Sequence, residues 1–462
     1  MNQDALPADT DESAKTKPTY TGRLASPDMN GEVMLTINKD GLLADSLFDQ
    51  AALPYADVNK IVLQDNTVLI GSSAGNLMLS HMGSACEWFH RELLEAYNTK
   101  VLQALLVEGA SEFETKGAYL YDGKQGHAIF QVFKDCLCIL PPNTDARRIP
   151  FLFVNGLSKE GYTLILTLST GERYTLSQIG YDLEPLEKQI SDHIRSLQDN
   201  NAVFIKSIDD SLGFAQTVQA ARLMPEGGVV SLQKLTSSIP PLSITVSKKV
   251  MNSKMVETYE LLQNICDGER LCIGIKAVPP EEVEAMKESL LIKLNEGAEN
   301  PIELTLEQED SLRWIVWAAV PSKDGRTAVV EYAFPNEPAA TYLFRIENEW
   351  DSFLPILNRA MEAVQLKREV ISLPDEKMKN EQYANYRMAV IRTPALQELR
   401  RLFAGRVIHR SLESWKESVL NIIGKPSVAR PTDATLMQRF CTDCGTKLTG
   451  SMSFCGECGK KI

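Results

Sequence analysis

The chain has 462 residues, 44% of them hydrophobic, and this combination predicts a folded protein of about three domains, since one core rarely grows that large. Its 48 lysines and arginines stand against 61 aspartates and glutamates. The resulting net charge of −13 argues against a surface built mainly for phosphate contacts, although a local basic patch is compatible with it.

The N-terminal residues 1–29 are polar and lack the apolar stretch that a signal peptide needs, so we expect a disordered tail there. No later segment reaches the roughly 20 apolar residues that span a bilayer. Five cysteines outside the C-terminal segment lie in apolar surroundings without disulfide-like spacing, which is typical of small core residues. They are Cys86, Cys136, Cys138, Cys266 and Cys272. These features predict a cytoplasmic protein.

Two segments about 96 residues apart repeat one another. The matched pairs are Lys39/Lys134, Asp40/Asp135, Leu42/Leu137, Pro54/Pro150, Val58/Val154, Asn59/Asn155, Thr67/Thr163, Gly75/Gly171, Leu79/Leu176, Ser80/Ser177 and Gly83/Gly180. The period is too long for a solenoid, whose units run to roughly 20–50 residues. Each copy is therefore predicted to be a domain, over residues 30–110 and 111–200.

Each copy shows the same order of predicted elements. Short runs rich in Val, Leu, Ile and Thr alternate with turn residues, as at Gly171 between two predicted strands. An amphipathic helix with one apolar stripe then closes the copy, because a small antiparallel β structure needs a cover for its apolar face. The stripes are Phe89, Leu93, Tyr97, Val101 and Leu105 in the first copy, and Leu183, Leu186, Ile190, Ile194 and Leu197 in the second.

Two further segments are predicted to connect the domains. Residues 201–267 predict a helical and irregular connector, with one helix over 209–224 followed by less regular chain. Residues 374–423 have helical spacing and are expected to pack back on the body. Residues 424–438 have the composition of a linker.

Residues 268–373 predict a divergent α+β domain. Four apolar runs read as strands, and 351–364 read as a closing helix, which favours a third copy of the repeated unit. The helical pattern at 279–295 departs from the first two copies and leaves a different α+β fold open. The overall prediction is an α+β protein with tandem antiparallel β units.

The C-terminal segment 439–462 contains two C-x-x-C pairs, each followed by a glycine. The four cysteines are Cys441, Cys444, Cys455 and Cys458. Four thiolates suit one tetrahedral Zn²⁺, with an iron centre as the alternative. Because four protein ligands leave no position for water or substrate, this predicted zinc ribbon is structural. Metal binding worth about 10–16 kcal/mol would hold together a segment that has few apolar side chains.

Strands followed by a single closing helix, duplicated ahead of a four-cysteine ribbon, resemble the bacterial pleckstrin-homology-like proteins. The resemblance covers residues 30–200 and implies a strongly bent sheet plugged by a helix and used for binding. Phosphoinositide-binding members of that superfamily place several basic residues after the first strand, whereas the first copy here is mostly acidic. Binding to a membrane surface is therefore not expected.

Several short patterns that can mark catalytic sites lack the surrounding residues that catalysis requires. The G-x-S-x-G pattern at 71–75 has mechanical meaning only at a strand-to-helix turn, whereas Ser73 is predicted to lie in a hairpin. None of the five histidines lies in an H-E-x-x-H pattern, and no phosphate-binding glycine motif occurs. Arg147 and Arg148 are expected either on an ordinary surface loop or against an anion at a domain edge.

These observations predict a non-enzymatic, cytoplasmic binding or scaffold protein that contacts protein partners through its repeated domains and its zinc ribbon. Two alternatives stay open. The first is nucleic-acid binding through the ribbon, which has a mild positive balance. The second is an enzyme whose site lies in residues 268–423, and a deep polar pocket there would favour it.

Overall fold

The computed structural model describes residues 19–296, 302–409 and 411–424, together with the backbone of 439–440 and 447–448. Over these residues the chain is α+β, as predicted, with antiparallel sheets of seven, seven, six and two strands. No helix among the described residues is both long enough and apolar enough to cross a lipid bilayer.

The first sheet is a meander whose first and last strands pair, in the order β4-β3-β2-β1-β7-β6-β5. Its strands are β1 Thr19–Ala25, β2 Asn30–Ile37, β3 Gly41–Asp45, β4 Gln50–Pro54, β5 Val58–Gln64, β6 Thr67–Ser72 and β7 Gly75–Ser80, followed by helix α1 Cys86–Ala104. The predicted disordered tail over 1–29 is wrong for residues 19–29, because β1 pairs with β2 along its whole length. We call this unit the first repeat.

The second repeat has the same topology, in the order β11-β10-β9-β8-β14-β13-β12. Its elements are β8 Phe113–Tyr121, β9 Lys124–Val132, β10 Cys136–Leu140, β11 Arg147–Pro150, β12 Val154–Glu160, β13 Thr163–Leu168, β14 Arg173–Ser177 and α2 Leu183–Ile208. The likeness extends to an irregularity of the backbone. The ladder register shifts between Val58 and Lys60 in the first repeat, and between Val154 and Gly156 in the second.

The closing helix of each repeat buries the predicted stripe. In α1, Phe89, Leu93, Tyr97 and Val101 lie in the core of the first sheet. In α2, Leu183, Leu186 and Ile190 are buried, and Ile194 and Leu197 pack half-buried beside them. Helix α2 continues past the predicted boundary at residue 200, because its last turns enter the next core with Phe204, Ile205 and Ile208.

The connector is more regular than predicted. It contains α3 Phe214–Leu223, β15 Val229–Ser231, α4 Leu232–Ser238, α5 Pro240–Met251 and α6 Val256–Ile265. The expectation of less regular chain after 224 is wrong, since each short helix buries an apolar face behind the third sheet, with Leu235, Leu242 and Leu262 fully covered. Local signals also support these helices: the Ser231 hydroxyl caps α4, and Pro240 begins α5.

The third sheet has a different topology, in which each strand pairs with the next in the order β15-β16-β17-β18-β19-β20. Its remaining strands are β16 Cys272–Ala277, β17 Trp314–Pro321, β18 Thr327–Ala333, β19 Ala340–Arg345 and β20 Phe403–Ile408. Both faces are covered: Val316 and Val320 of β17 face the connector helices, whereas Trp317 faces α9. Each of the two repeats instead has a sheet in which the first and last strands pair and one helix closes it. The expectation of a third copy over residues 268–373 is therefore wrong, and the alternative of a different α+β fold is the one observed.

The other helices lie around this third sheet. They are α7 Pro280–Asn295, α8 Leu306–Leu312, α9 Trp350–Ala363, α10 Glu369–Ser372, α11 Asp375–Met378, α12 Ala384–Arg392, α13 Pro394–Leu402 and α14 Leu412–Ile423. One of them, α12, also packs against α1 of the first repeat. The segment predicted as helical over 374–423 also contains the edge strand β20, which the sequence analysis missed. The last described backbone forms the short strands β21 Arg439–Phe440 and β22 Lys447–Leu448.

Candidate functional sites

The predicted zinc ligands Cys441, Cys444, Cys455 and Cys458 lie outside the described residues. The backbone of β21 and β22 is described, and the two strands pair antiparallel, with Arg439 opposite Leu448 and Phe440 opposite Lys447. The chain that joins them, 441–446, carries the first C-x-x-C pair. Within the described part of the chain, no group of three or more acidic, cysteine or histidine side chains could hold a metal ion.

The five cysteines predicted to be core residues are all buried and unpaired by disulfides. Two of them lie where the repeats meet. Along β10, Leu137 and Ile139 face the core of the second repeat, whereas Cys136 and Cys138 face the core of the first. Strand β10 is therefore covered on both sides, which explains its uninterrupted apolar sequence.

Ser73 lies in the tight turn between β6 and β7, as predicted, and not at a strand-to-helix turn. The neighbouring Ser72 hydroxyl donates to the carbonyl oxygen of Gly75 at 2.7 Å and so closes the hairpin. The residue thus lacks the geometry that makes a serine nucleophilic in a G-x-S-x-G motif.

Arg147 and Arg148 are buried, so the expectation of an ordinary surface loop is wrong. Arg148 does meet an anion at the edge of the second repeat, but that anion is a carboxylate of the protein itself, Glu362. They belong to β11, the edge strand of the second repeat, and helix α9 covers that edge. The guanidinium of Arg147 lies 5.0 Å from the ring of Tyr121 and donates to the carbonyl oxygen of Ala146.

An ion network around Arg148 fastens the second repeat to α9. The Arg148 guanidinium contacts Glu362 through Nη1, and its Nη2 lies 2.5 Å from Oδ2 of Asp135. Arg359 of α9 donates to Glu362 at 2.9 Å and to the carbonyl oxygen of Arg148 at 2.6 Å. Burial alone would lower the pKa of Arg148, but Glu362 and Asp135 raise it well above its ordinary value. The network is therefore a charged structural contact.

The β3–β4 hairpin of the first repeat, which corresponds to the β10–β11 hairpin of the second, projects into solvent. Leu47 and Phe48 at its tip are each 92% exposed. The turn is nevertheless ordered, because the Ser46 hydroxyl accepts from the N–H of Asp49 at 2.9 Å and donates to its carbonyl oxygen at 3.0 Å. Two adjacent apolar side chains between Asp45 and Asp49 form the kind of exposed apolar feature that binding surfaces use.

A cluster that no motif predicted lies between β18, β19 and α14. The carboxylate of Glu331 is fully buried, and its Oε1 lies 3.0 Å from Nε2 of His409. Thr341 Oγ1 lies 3.0 Å from the same nitrogen and accepts from the indole N–H of Trp415 at 2.6 Å. A catalytic triad needs its nucleophile and its carboxylate on opposite ring nitrogens. This cluster instead anchors α14 to the third sheet.

A cleft of about 770 Å³, which we call the polar cleft, opens beside β19 and β20. Cationic and aromatic side chains line it: Lys276, Phe334, Tyr342, Lys367, Arg368 and Arg406. Carboxylates also reach it, from Glu108, Glu282, Glu337 and Glu369. Its volume is within the range of small-molecule sites. No short motif marks it, because its residues come from positions that are far apart in the chain.

The arginines of the polar cleft lie over aromatic rings. The guanidinium carbon of Arg368 is 4.2 Å from the centroid of Phe334, and its Nη2 donates to Glu337 at 2.7 Å. The guanidinium carbon of Arg406 is 5.5 Å from the centroid of Tyr342. Burial raises the pKa of Tyr342, so its hydroxyl keeps its proton at neutral pH.

A second, more apolar cleft of about 510 Å³ lies between α2, α3 and α9. The two asparagine side chains that line it already form hydrogen bonds within the protein. Asn358 donates to the carbonyl oxygen of Val229 and accepts from its N–H, whereas Asn201 donates to the carbonyl oxygen of Met224 and accepts from the N–H of Glu226. Because these groups already have partners, this cleft has less capacity for polar recognition.

Comparison with protein-family models and with curated proteins gives no match to this chain. The resemblance to pleckstrin-homology-like proteins therefore stays a prediction that rests on the repeated elements themselves.

Proposed function

We propose that this chain is a non-enzymatic binding protein whose first repeat contacts a protein partner through the β3–β4 hairpin. The observation that carries the proposal is the contrast between equivalent hairpins. In the second repeat, helix α9 covers strand β11 through Arg148 and Glu362. The β10–β11 turn contacts the first repeat through Pro142 and Asn143. In the first repeat, Leu47 and Phe48 at the corresponding turn are exposed. A surface that the chain covers in one copy and leaves open in the other is suited to an external partner.

The repeated topology supports a pleckstrin-homology-like assignment for both repeats. Each sheet is a meander whose first strand pairs with its last, and each is plugged by one amphipathic helix. A bent sheet closed by a helix is the arrangement that the resemblance implies. The polar cleft lies largely within residues 268–423, where a polar pocket favours the alternative of an enzyme. Its described lining offers lysine, tyrosine and glutamate side chains but no serine, threonine, cysteine or histidine.

The chemistry of the hairpin indicates what its partner offers. Leu47 and Phe48 suit an apolar pocket, and the flanking Asp45 and Asp49 suit a basic rim around that pocket. We therefore propose a protein partner with a hydrophobic groove bordered by lysine or arginine. The acidic flank argues against an anionic membrane as the partner.

Affinity capture tests this proposal. Full-length protein and the double variant L47S/F48S would be used as baits, with Tyr162→Ser as a control that removes an 88% exposed aromatic side chain from the second repeat. We expect at least one partner that the wild type and the control retain and the double variant loses. Identical partners for all three baits, in correctly folded samples, would refute the hairpin as the contact surface.

We further propose that the four C-terminal cysteines hold one structural zinc ion. The soft sulfur donor set supports this, as does the β21–β22 pairing, which brings together the two ends of the segment that carries Cys441 and Cys444. Purified protein should contain one zinc per chain, and Co²⁺ in its place should give the absorption of a tetrahedral sulfur site. Retention of the metal in Cys455→Ser with unchanged affinity would contradict a four-cysteine centre.

A bait that ends at Ile423 separates the ribbon from the body. Partners lost with residues 424–462 but kept by L47S/F48S would belong to the ribbon. If the material lost with the ribbon were nucleic acid, and its binding weakened steeply with salt, the ribbon would be a nucleic-acid contact and not a protein contact.

A further inference from the structure

Three cations of the polar cleft form no direct ion pair within the described part of the chain. Among the described residues, no carboxylate lies within ion-pair distance of Arg406, Lys276 or Lys367. The Arg406 guanidinium lies over the ring of Tyr342. Arg368 differs, because Glu337 accepts from one of its nitrogens. The cleft thus presents at least one guanidinium that is ready to bind an external acceptor.

The hydroxyl of Tyr342 is a second unsatisfied group in the same place. Tyr342 is 0% exposed, and its hydroxyl is buried without a hydrogen-bond partner in the described structure. Ser372 is near enough to Tyr342 to lower its pKa, but the Ser372 hydroxyl donates to the carbonyl oxygen of Glu369 and forms no hydrogen bond with the tyrosine hydroxyl. A buried polar group without a partner destabilises the fold unless a ligand or water satisfies it. Both Arg368 and Arg406 are close enough to Tyr342 to act on its ionisation.

The walls of the cleft limit the kind of ligand. Phe334, Met286 and Ile315 supply apolar and aromatic area beside the cations. The carboxylates of Glu282 and Glu369, which have no ion-pair partner among the described residues, would repel a ligand with several negative charges. The combination suits one anionic group on an apolar or aromatic body.

We propose that the polar cleft is a binding site for a small molecule that carries one carboxylate or phosphate group on an apolar or aromatic body. Arg406 and Arg368 bind the anionic group, and the Tyr342 hydroxyl donates a hydrogen bond to it. The aromatic wall around Phe334 holds the body of the ligand. This site is separate from the exposed hairpin of the first repeat, and it adds small-molecule recognition to the proposed protein binding.

The test is a calorimetric titration of the full chain at low salt with three probes: benzoate, phenyl phosphate and inorganic phosphate. We expect saturable binding of benzoate or phenyl phosphate, and weaker binding of inorganic phosphate, which lacks the aromatic body. The stronger of the first two identifies the anionic group. No saturable binding of either aromatic probe at millimolar concentration would overturn the proposal.

Two variants test the assigned residues. Arg406→Gln should weaken binding of the better probe by about 10-fold or more, because a charge-assisted hydrogen bond is lost. Arg222→Gln, which removes an exposed cation at the other cleft, should bind as the wild type does. Equal affinity in Arg406→Gln and the wild type would contradict the site.

Tyr342→Phe distinguishes a ligand-binding hydroxyl from a structural one. If the hydroxyl has no partner in the free protein, its removal should leave the melting temperature unchanged or raise it, while probe affinity falls. A lower melting temperature together with unchanged probe affinity would show that the hydroxyl serves the fold alone and would remove it from the site.

Discussion

The two repeats share one topology but differ in how they satisfy the matched aspartates. In the first repeat, Asp40 contacts Lys100 of its own helix at 2.5 Å. In the second repeat, Asp135 contacts Arg148 of the edge strand at the same distance. Counting from the helix starts, the position of Lys100 is a leucine in the second repeat, Leu197. The cation thus lies on the helix in the first repeat and on the edge strand in the second, where it also reaches Glu362 of α9.

The different position of this cation in the two repeats changes what each repeat contacts. The pair in the first repeat stays local, with the Asp40 side chain 68% exposed. The pair in the second repeat joins a buried network that fixes the repeat to the third sheet through α9. A duplicated domain thus keeps its strands and changes its contacts through very few side chains, because the backbone is specified by the apolar pattern and the contacts by individual polar residues.

The largest effect is expected from removing Glu362, the carboxylate at the centre of the buried network of the second repeat. Glu362→Ala takes away the carboxylate that both Arg148 and Arg359 contact, and leaves two buried guanidiniums short of a partner. We expect a loss of about 3 kcal/mol or more in the free energy of unfolding, measured by urea denaturation. The matched variant Lys100→Met in the first repeat should cost less than about 1 kcal/mol, because water can solvate Asp40. Similar losses in the two variants would refute the difference between the repeats.

The hydroxyl of Tyr97 provides the second test. It donates to the carbonyl oxygen of Asn143 at 3.1 Å and accepts from Nη2 of the buried Arg392 at 2.7 Å, so it links the first repeat to the second and to α12. Tyr97→Phe should cost about 1–3 kcal/mol of unfolding free energy, because Arg392 loses an acceptor inside the protein. Tyr162→Phe, at an exposed position, is the control and should leave the free energy unchanged.

A smaller effect is expected from the pH dependence of the first repeat. The hydrogen bond from Lys100 lowers the pKa of Asp40 below its ordinary value of 3.8. Since the folded-state pKa is the lower one, the contribution is present above the unfolded-state pKa and is lost as pH falls through the folded-state value. The difference in unfolding free energy between wild type and Asp40→Asn should therefore shrink below about pH 4. An NMR titration midpoint for Asp40 at or above 3.8 would contradict this reasoning.

The smallest effect on stability is expected at the exposed hairpin. Leu47 and Phe48 make few contacts within the fold, so L47S/F48S should change the unfolding free energy by no more than about 0.5 kcal/mol. The same substitutions should remove partner binding if the hairpin is a contact surface. A large destabilisation would mean that these side chains serve the fold, and it would weaken the proposed function.

Local patterns were sufficient to predict the duplicated units. The alternation of apolar residues gave the strands, and the stripe from Phe89 to Val101 gave the closing helix, because period and burial are coupled within one element. The hairpin turn around Ser73 followed from neighbouring residues as well. In the connector, the helix predicted over 209–224 corresponds to α3, but the helices after it were missed, since their short apolar faces are completed only by the back of the third sheet.

The polar residues of the sites were predicted poorly. Arg147 and Arg148 follow turn-forming residues and were assigned to a loop, but α9, more than 200 positions later in the chain, covers them. The polar cleft combines Lys276, Tyr342 and Arg406, which no spacing rule connects. Long-range packing decides whether such a side chain is buried, paired or open to a ligand.

The amino-acid sequence by itself determined the duplication, the helical stripes and the presence of four cysteines with metal-ligand spacing, because each depends on residues close together in the chain. Tertiary structure alone decided that one matched hairpin is covered while the other is exposed, and that distant cations gather beside an unsatisfied tyrosine. The physical reason is that burial and electrostatic pairing depend on which surfaces meet, and those surfaces come from segments that are far apart in the sequence.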